Sequence, residues 1–121
     1  AARDVDVIAV LEDVAPDGKT TSYNFSGQLR ASHRATARAR YDNLGLPWRT
    51  FREADARPLQ AGVPAELAFD LLPMSYVFKA GHRIRLRLAF ADPAASAGGQ
   101  MRVLSGPATP SALTLPIIPA S

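Results

Sequence analysis

Cysteine is absent from the 121 residues, and with it go disulfide frameworks, thiolate metal sites and cysteine nucleophiles. Aromatic residues are few, with five Phe, three Tyr and one Trp, so any cluster of them carries information. No apolar run approaches the roughly 20 residues that span a bilayer, and no charged-then-apolar leader opens the chain; no membrane partner is expected. Lysine is nearly missing, two against twelve arginines. The cationic excess is small: 14 basic and 11 acidic residues give a formal net charge of +3. The cations are interleaved with acids along the chain instead of concentrated on one element, which argues against a nucleic-acid partner.

Catalytic signatures are missing as well. No two of the eight glycines stand four positions apart, which excludes a G-x-S-x-G nucleophile elbow, and neither a P-loop nor H-E-x-x-H occurs. His33 and His82 lie far apart in sequence, each beside an arginine and not a carboxylate. They lack a third ligand at metal-binding spacing. They read as surface or hydrogen-bonding histidines, and neither a metal nor a cofactor is expected.

What is present is enough for one globular domain: 47% apolar and 21% charged residues. Ten prolines and eight glycines punctuate the chain at the spacing of short strands, which predicts an all-β fold. Asp4 to Val14 is apolar on both faces, as in a strand central to its sheet. Pro16-Asp17-Gly18 supplies a turn, and Thr21, Tyr23 and Phe25 alternate on the return strand. Gly27 marks a bulge or bend before Leu29 to Ser32. From 33 to 61 the pattern breaks into a long irregular connection with at most a helical turn, capped by Ser32. Loops of that length within a domain are commonly functional. Strands resume at Ala65 to Leu71 and at Ile84 to Phe90, where Arg83, Arg85 and Arg87 occupy the opposite face. Gln100 to Leu104 and Leu113 to Ile118 complete the set. A β-sandwich or a barrel fits this pattern equally.

Three groups of residues could carry chemistry. Asp4, Asp6, Glu12 and Asp13 offer hard oxygen ligands of the kind calcium takes, against the plainer reading of strand-end acids. The arginine row could hold an anion, or pair with Glu66 and Asp70 on a neighbouring strand. Tyr41, Trp48 and Phe51 in the long loop could stack on sugars or form an apolar surface that docks on another domain.

The segments ASHR, YDNLGLPW, ELAFDLLPMSYVFKAGHRIRLRLAFAD and PSALTLPIIP, in that order, together with the hairpin DVDVIAVLEDVAPDGKT, resemble the C-terminal domain of a serine hydrolase family. That family includes cocaine esterase and X-prolyl dipeptidyl aminopeptidase. The resemblance covers residues 4–119 and is most specific from Leu71 to Arg85. It implies a galactose-binding-like jelly-roll β-sandwich packed against an α/β-hydrolase catalytic domain that holds the Ser, Asp and His of the triad. It therefore implies no catalytic residue in this chain. Its function would be accessory: to stabilise the catalytic domain and help wall a cleft for ester, acyl or X-prolyl amide substrates. A carbohydrate-binding module using the aromatic loop is the alternative.

Three structural expectations follow. Leu67, Phe69, Leu71, Ile84, Leu86, Leu88 and Phe90 should be buried together as the core. Tyr41, Leu44, Leu46, Trp48 and Phe51 should form the interdomain docking surface. The family resemblance implies at least one further strand before Asp4; without it, either a sheet edge or part of the core should be uncovered, and a bare edge on the strand beginning there could pair a second copy into a homo-oligomer, edge to edge or by exchange of a terminal strand.

Overall fold

Val5, Val7, Ala9 and Leu11 form the more deeply buried face of the first strand, Ile8 and Val10 keep its other face apolar, and the chain builds its sheet around that strand. The structure, a computed structural model, describes residues 4–22, 25–91 and 100–119. It is all-β with an antiparallel sheet, and its only helical pieces among the described residues are two three-residue 3₁₀ turns, Ala31–His33 and Glu53–Asp55. The four strands among the described residues are β1 (Asp6–Val14), β2 (Thr20–Thr21), β3 (Ser26–Arg30) and β4 (Arg83–Ala91).

The β1–β2 hairpin turns as its residues dictate. Gly18 has φ +87° and its N–H donates to the Ala15 carbonyl at 2.8 Å, while the Lys19 N–H donates to the Asp17 carboxylate at 2.9 Å. β3 then pairs with β1 from Asp6↔Arg30 to Val10↔Ser26, and β4 covers the other side of β1 from Asp6↔Ala91 to Val14↔Arg83. β1 is therefore central, as its two apolar faces predict. The bare edge expected there does not exist, because β3 and β4 saturate both of its sides. Among the described residues the long unpaired edge belongs to β4, where three arginines defend it.

The register explains which face is inner. Val7, Ala9 and Leu11 lie opposite Phe90, Leu88 and Leu86, and Val7 and Ala9 lie opposite Leu29 and Gly27 on the other side. Directly opposed residues share a face, so the apolar stripe of β4 is on the expected side. Its burial is not as expected. Ile84 is 49% exposed, Leu86 38% and Phe90 40%, with Leu88 and Leu71 half-buried. The buried core instead gathers around β1 and β3: Val5, Val7, Ala9, Leu11, Val14, Phe25, Leu29 and Ala31. Leu59, Leu67 and Phe69 pack on its Val5–Val7–Ala31 end. The physical reason is coverage. The segment 65–71 crosses the β3 side of the sheet as extended chain, reaching Ser26 through Leu72 N–H at 2.8 Å, and leaves the β4 side open.

Segments 65–71, 100–104 and 113–118, expected as strands, make no ladder with any strand among the described residues. The expected helical cap also differs: Ser32 lies within the first 3₁₀ turn, and its hydroxyl and N–H both donate to Asp4, at 2.7 and 2.8 Å. Tyr23, Asn24 and the loop from Asp92 to Gly99 lie outside the described residues.

Candidate functional site

The long connection folds back on itself between two anchors. At its base, the Arg57 N–H donates to the Ser32 carbonyl at 2.7 Å, and the Arg34 guanidinium donates to the carbonyls of Ala31 and Arg57. Further out, the Ala37 N–H donates to the Trp48 carbonyl at 2.9 Å. Arg49, buried, threads beneath and donates to the carbonyls of His33 (2.9 Å) and Ala68. Burial lowers its pKa from the usual arginine value, and the charge of Asp70 works against that shift. An irregular segment with so few apolar residues holds its shape through these backbone-directed bonds, since its own packing is thin.

The tip is a two-residue turn. Leu44 and Gly45 have φ of +59° and +74°, and the Leu46 N–H closes the turn on the Asn43 carbonyl at 3.1 Å. The Asn43 side-chain amide returns a bond to the Leu46 carbonyl at 2.6 Å, and the Leu44 N–H donates to the Asp42 carboxylate at 3.0 Å. Positive φ at both central positions is a type I′ geometry, which favours Asn or Gly and disfavours a branched side chain. Leucine is nonetheless placed there, 85% exposed. Phe51, with φ +55° and 66% exposed, repeats the pattern as it leans on His33 at a ring separation of 5.9 Å. Tyr41 and Leu46 are exposed too, and Trp48 is half-buried. The five residues singled out in this loop thus share one excursion of the chain, and all but Trp48 leave most of their surface in water.

The acids singled out in β1 do not converge. Asp4 accepts from Ser32 and from the Val5 N–H, Asp6 pairs with Arg30 at 2.9 Å, and Glu12 pairs with Arg85 at 3.2 Å and Arg87 at 3.4 Å. Asp13 points to the inner face. No group of three metal-ligating side chains occurs among the described residues. The arginine row thus pairs with Glu12 and not with Glu66 or Asp70, because its neighbour in the sheet is β1 and not segment 65–71.

One cluster escaped the sequence reading. The buried Asp13 carboxylate accepts from the Tyr76 hydroxyl at 2.7 Å and contacts His82 Nδ1 at 2.7 Å. Tyr76 in turn meets Phe25 and Phe78 edge to face. The Tyr76 bond holds the Asp13 carboxyl below its ordinary value; burial opposes it and His82 adds to it. Adjacency along the chain could not reveal a pair separated by 69 positions. The register could have: Asp13 faces Ile84 across the β1–β4 ladder, two residues from His82. The cluster ties strand to loop.

An all-β domain with an exposed, tied-down loop is the class these features define. Sequence comparison agrees: the chain belongs to the family of the X-Pro dipeptidyl-peptidase C-terminal non-catalytic domain, whose sequence profile matches residues 1–106. Two mycobacterial proteins, from Mycobacterium bovis and Mycobacterium tuberculosis, are each 50% identical to it over 84 residues. Their names assign them provisionally as serine esterases. The matched stretch is 68% of this chain and 13% of each mycobacterial protein, so the chain spans only a small part of their length. No solved structure matches it.

Proposed function

We propose that this chain is the non-catalytic accessory domain of an α/β serine hydrolase that cleaves ester or amide bonds, completing a jelly-roll sandwich against its catalytic domain. It stabilises that domain and walls its substrate cleft, and the loop from Tyr41 to Phe51 is the surface that docks. The observation that carries this reading is Leu44: a leucine held in a conformation that disfavours it and left exposed gains only when something covers it. The family's non-catalytic description and the esterase names of the relatives support the nature of the partner.

The test is a double substitution, Leu44→Ser with Leu46→Ser, in the full-length hydrolase. Exposed apolar residues contribute little to the domain's own fold, so its secondary structure should be unchanged. The thermal midpoint of the whole enzyme should fall by several degrees, as loss of roughly 1–2 kcal/mol of interface implies, with ester turnover reduced. An unchanged midpoint and turnover would exclude the docking role. Retention of the wild-type chain on an immobilised glycan, lost on Tyr41→Ala, would favour a carbohydrate-binding module instead.

A further inference from the structure

The charge of the molecule is concentrated where the loop is. Residues 33–61 contain six arginines and three acids, whereas the remainder of the chain has eight basic and eight acidic residues. The whole net charge of +3 therefore belongs to the connection 33–61, of which the docking segment 41–51 is the tip. Within it, the Ala37–Trp48 backbone bond lays the 37–40 limb beside the 48–52 limb. Between them is an open cavity of about 410 Å³ lined by Arg38, Arg40, Arg49 and Arg52 with Trp48 and Thr50.

These arginines are not equivalent. Arg49 is committed to the His33 and Ala68 carbonyls, and Arg52 to Asp55 at 3.1 Å. Arg38 and Arg40 are exposed, and no carboxylate among the described residues pairs with either. Two of the loop's three acids are engaged elsewhere: Asp42 accepts from the Leu44 N–H, and Asp55 from Thr50 and Arg52. Free guanidiniums on one wall of a cavity, with a half-buried indole beside them, form a receptor for planar anions that take bidentate bonds.

Resting on the docking reading above, we propose that the counterpart of this loop is an acidic segment of the catalytic domain. One or more of its Asp or Glu side chains enter the cavity and bond Arg38 and Arg40, while apolar side chains beside that segment cover Tyr41, Leu44 and Leu46. The apolar tip next to the charge favours a folded protein surface over a nucleic acid, whose phosphates would leave the leucines in water. Complementary charge of this kind fixes the register of an interface that apolar contact alone would leave loose.

The experiment uses the full-length hydrolase with Arg38→Lys and Arg40→Lys, changes that keep the charge on exposed side chains and supply an amine. Treatment with a zero-length carbodiimide should join position 38 or 40 to an Asp or Glu outside residues 1–121, read by peptide mass spectrometry. In parallel, carbene footprinting of the unsubstituted enzyme should show residues 41–51 protected. Protection without such a cross-link, or cross-links only to Asp42, Glu53 or Asp55, would overturn the acidic counterpart while leaving docking intact. A loop labelled as freely as in unfolded protein would overturn both. Salt-sensitive retention of the enzyme on duplex DNA, lost with Arg38→Ala and Arg40→Ala, would assign the cavity to phosphates and also overturn the proposal.

Discussion

Leu44 and Asp13 show how single residues set against local preference can be checked. An L-residue in the left-handed region costs roughly 1–2 kcal/mol, and asparagine tolerates it better. Replacing Leu44, at φ +59°, by Asn should therefore raise the stability of the chain itself by up to about 1 kcal/mol in urea unfolding. The same change should weaken the assembled hydrolase. A rise in one and a fall in the other is the signature of a residue kept for its partner. Asp13 responds to acid. Its carboxyl is held below the ordinary value of 3.8, first by the Tyr76 hydroxyl and then by His82, with burial opposing. A depressed folded pKa gives stability that is present above the unfolded value and is lost as pH falls through the folded one. As pH falls through and below the ordinary carboxylate range, the wild-type chain should lose stability more steeply than Asp13→Asn. Equal slopes for the two would remove Asp13 from the acid response.

At the level of elements, Gly27 decides whether segment 65–71 can lie on the sheet. A Cβ added there would overlap the carbonyl oxygen of Asp70 and press on the Leu71 side chain at 3.0 Å. The obstacle is backbone, which cannot rotate aside. Gly27→Ala should destabilise by about 1–3 kcal/mol or more, as forced overpacking does, and should release the Leu72–Ser26 bond, visible as faster amide exchange at Leu72. Exchange left unchanged would mean that the crossing tolerates a side chain. Gly27 also shows what was legible. The bulge or bend expected at Gly27 is not there, since the β1–β3 register runs unbroken through Ala9↔Gly27; the glycine answers instead to the Asp70 backbone laid over it, which is far away in sequence. The same division runs through the fold. The centrality of β1 follows from its two apolar faces, the Pro16–Gly18 turn from its residue types and the facing of β4 from period-two alternation, all of them local signals. The pairing of Glu12 with Arg85 and of Asp13 with His82 depends on β1 meeting β4 across 69 to 73 positions, and nothing in either strand alone specifies its partner. Segments 65–71, 100–104 and 113–118 alternate as strands do, yet alternation reports a half-covered extended chain whether or not a ladder forms.

Across the whole molecule, burial is uneven, and that unevenness bears on association. One side of the inner face is closed by Leu59, Leu67 and Phe69; the other leaves Ile84, Leu86 and Phe90 more than a third exposed, together with the loop tip. The exposed apolar tip of the loop was legible because its apolar residues stand in an otherwise polar stretch. The open β4 face was not, because an apolar stripe in a sequence says which side turns inward and not how much is laid over it. Contiguous apolar surface of this kind marks an interface or an aggregation site. Self-association was expected through the edge of β1, but β3 and β4 occupy both its sides, and the edge left at β4 carries Arg83, Arg85 and Arg87, which repel a second copy of themselves. The isolated chain should therefore associate by burying apolar faces and not by adding strands. Such association strengthens or holds as salt rises, since screening removes only the repulsion between basic loops and arginine edges. Light scattering at micromolar concentration should show a mass that grows with sodium chloride, while Ile84→Lys with Leu86→Lys returns it to the monomer. A monomer at every salt and concentration would show that the exposed stripe of β4 is too small or too divided to hold two copies together.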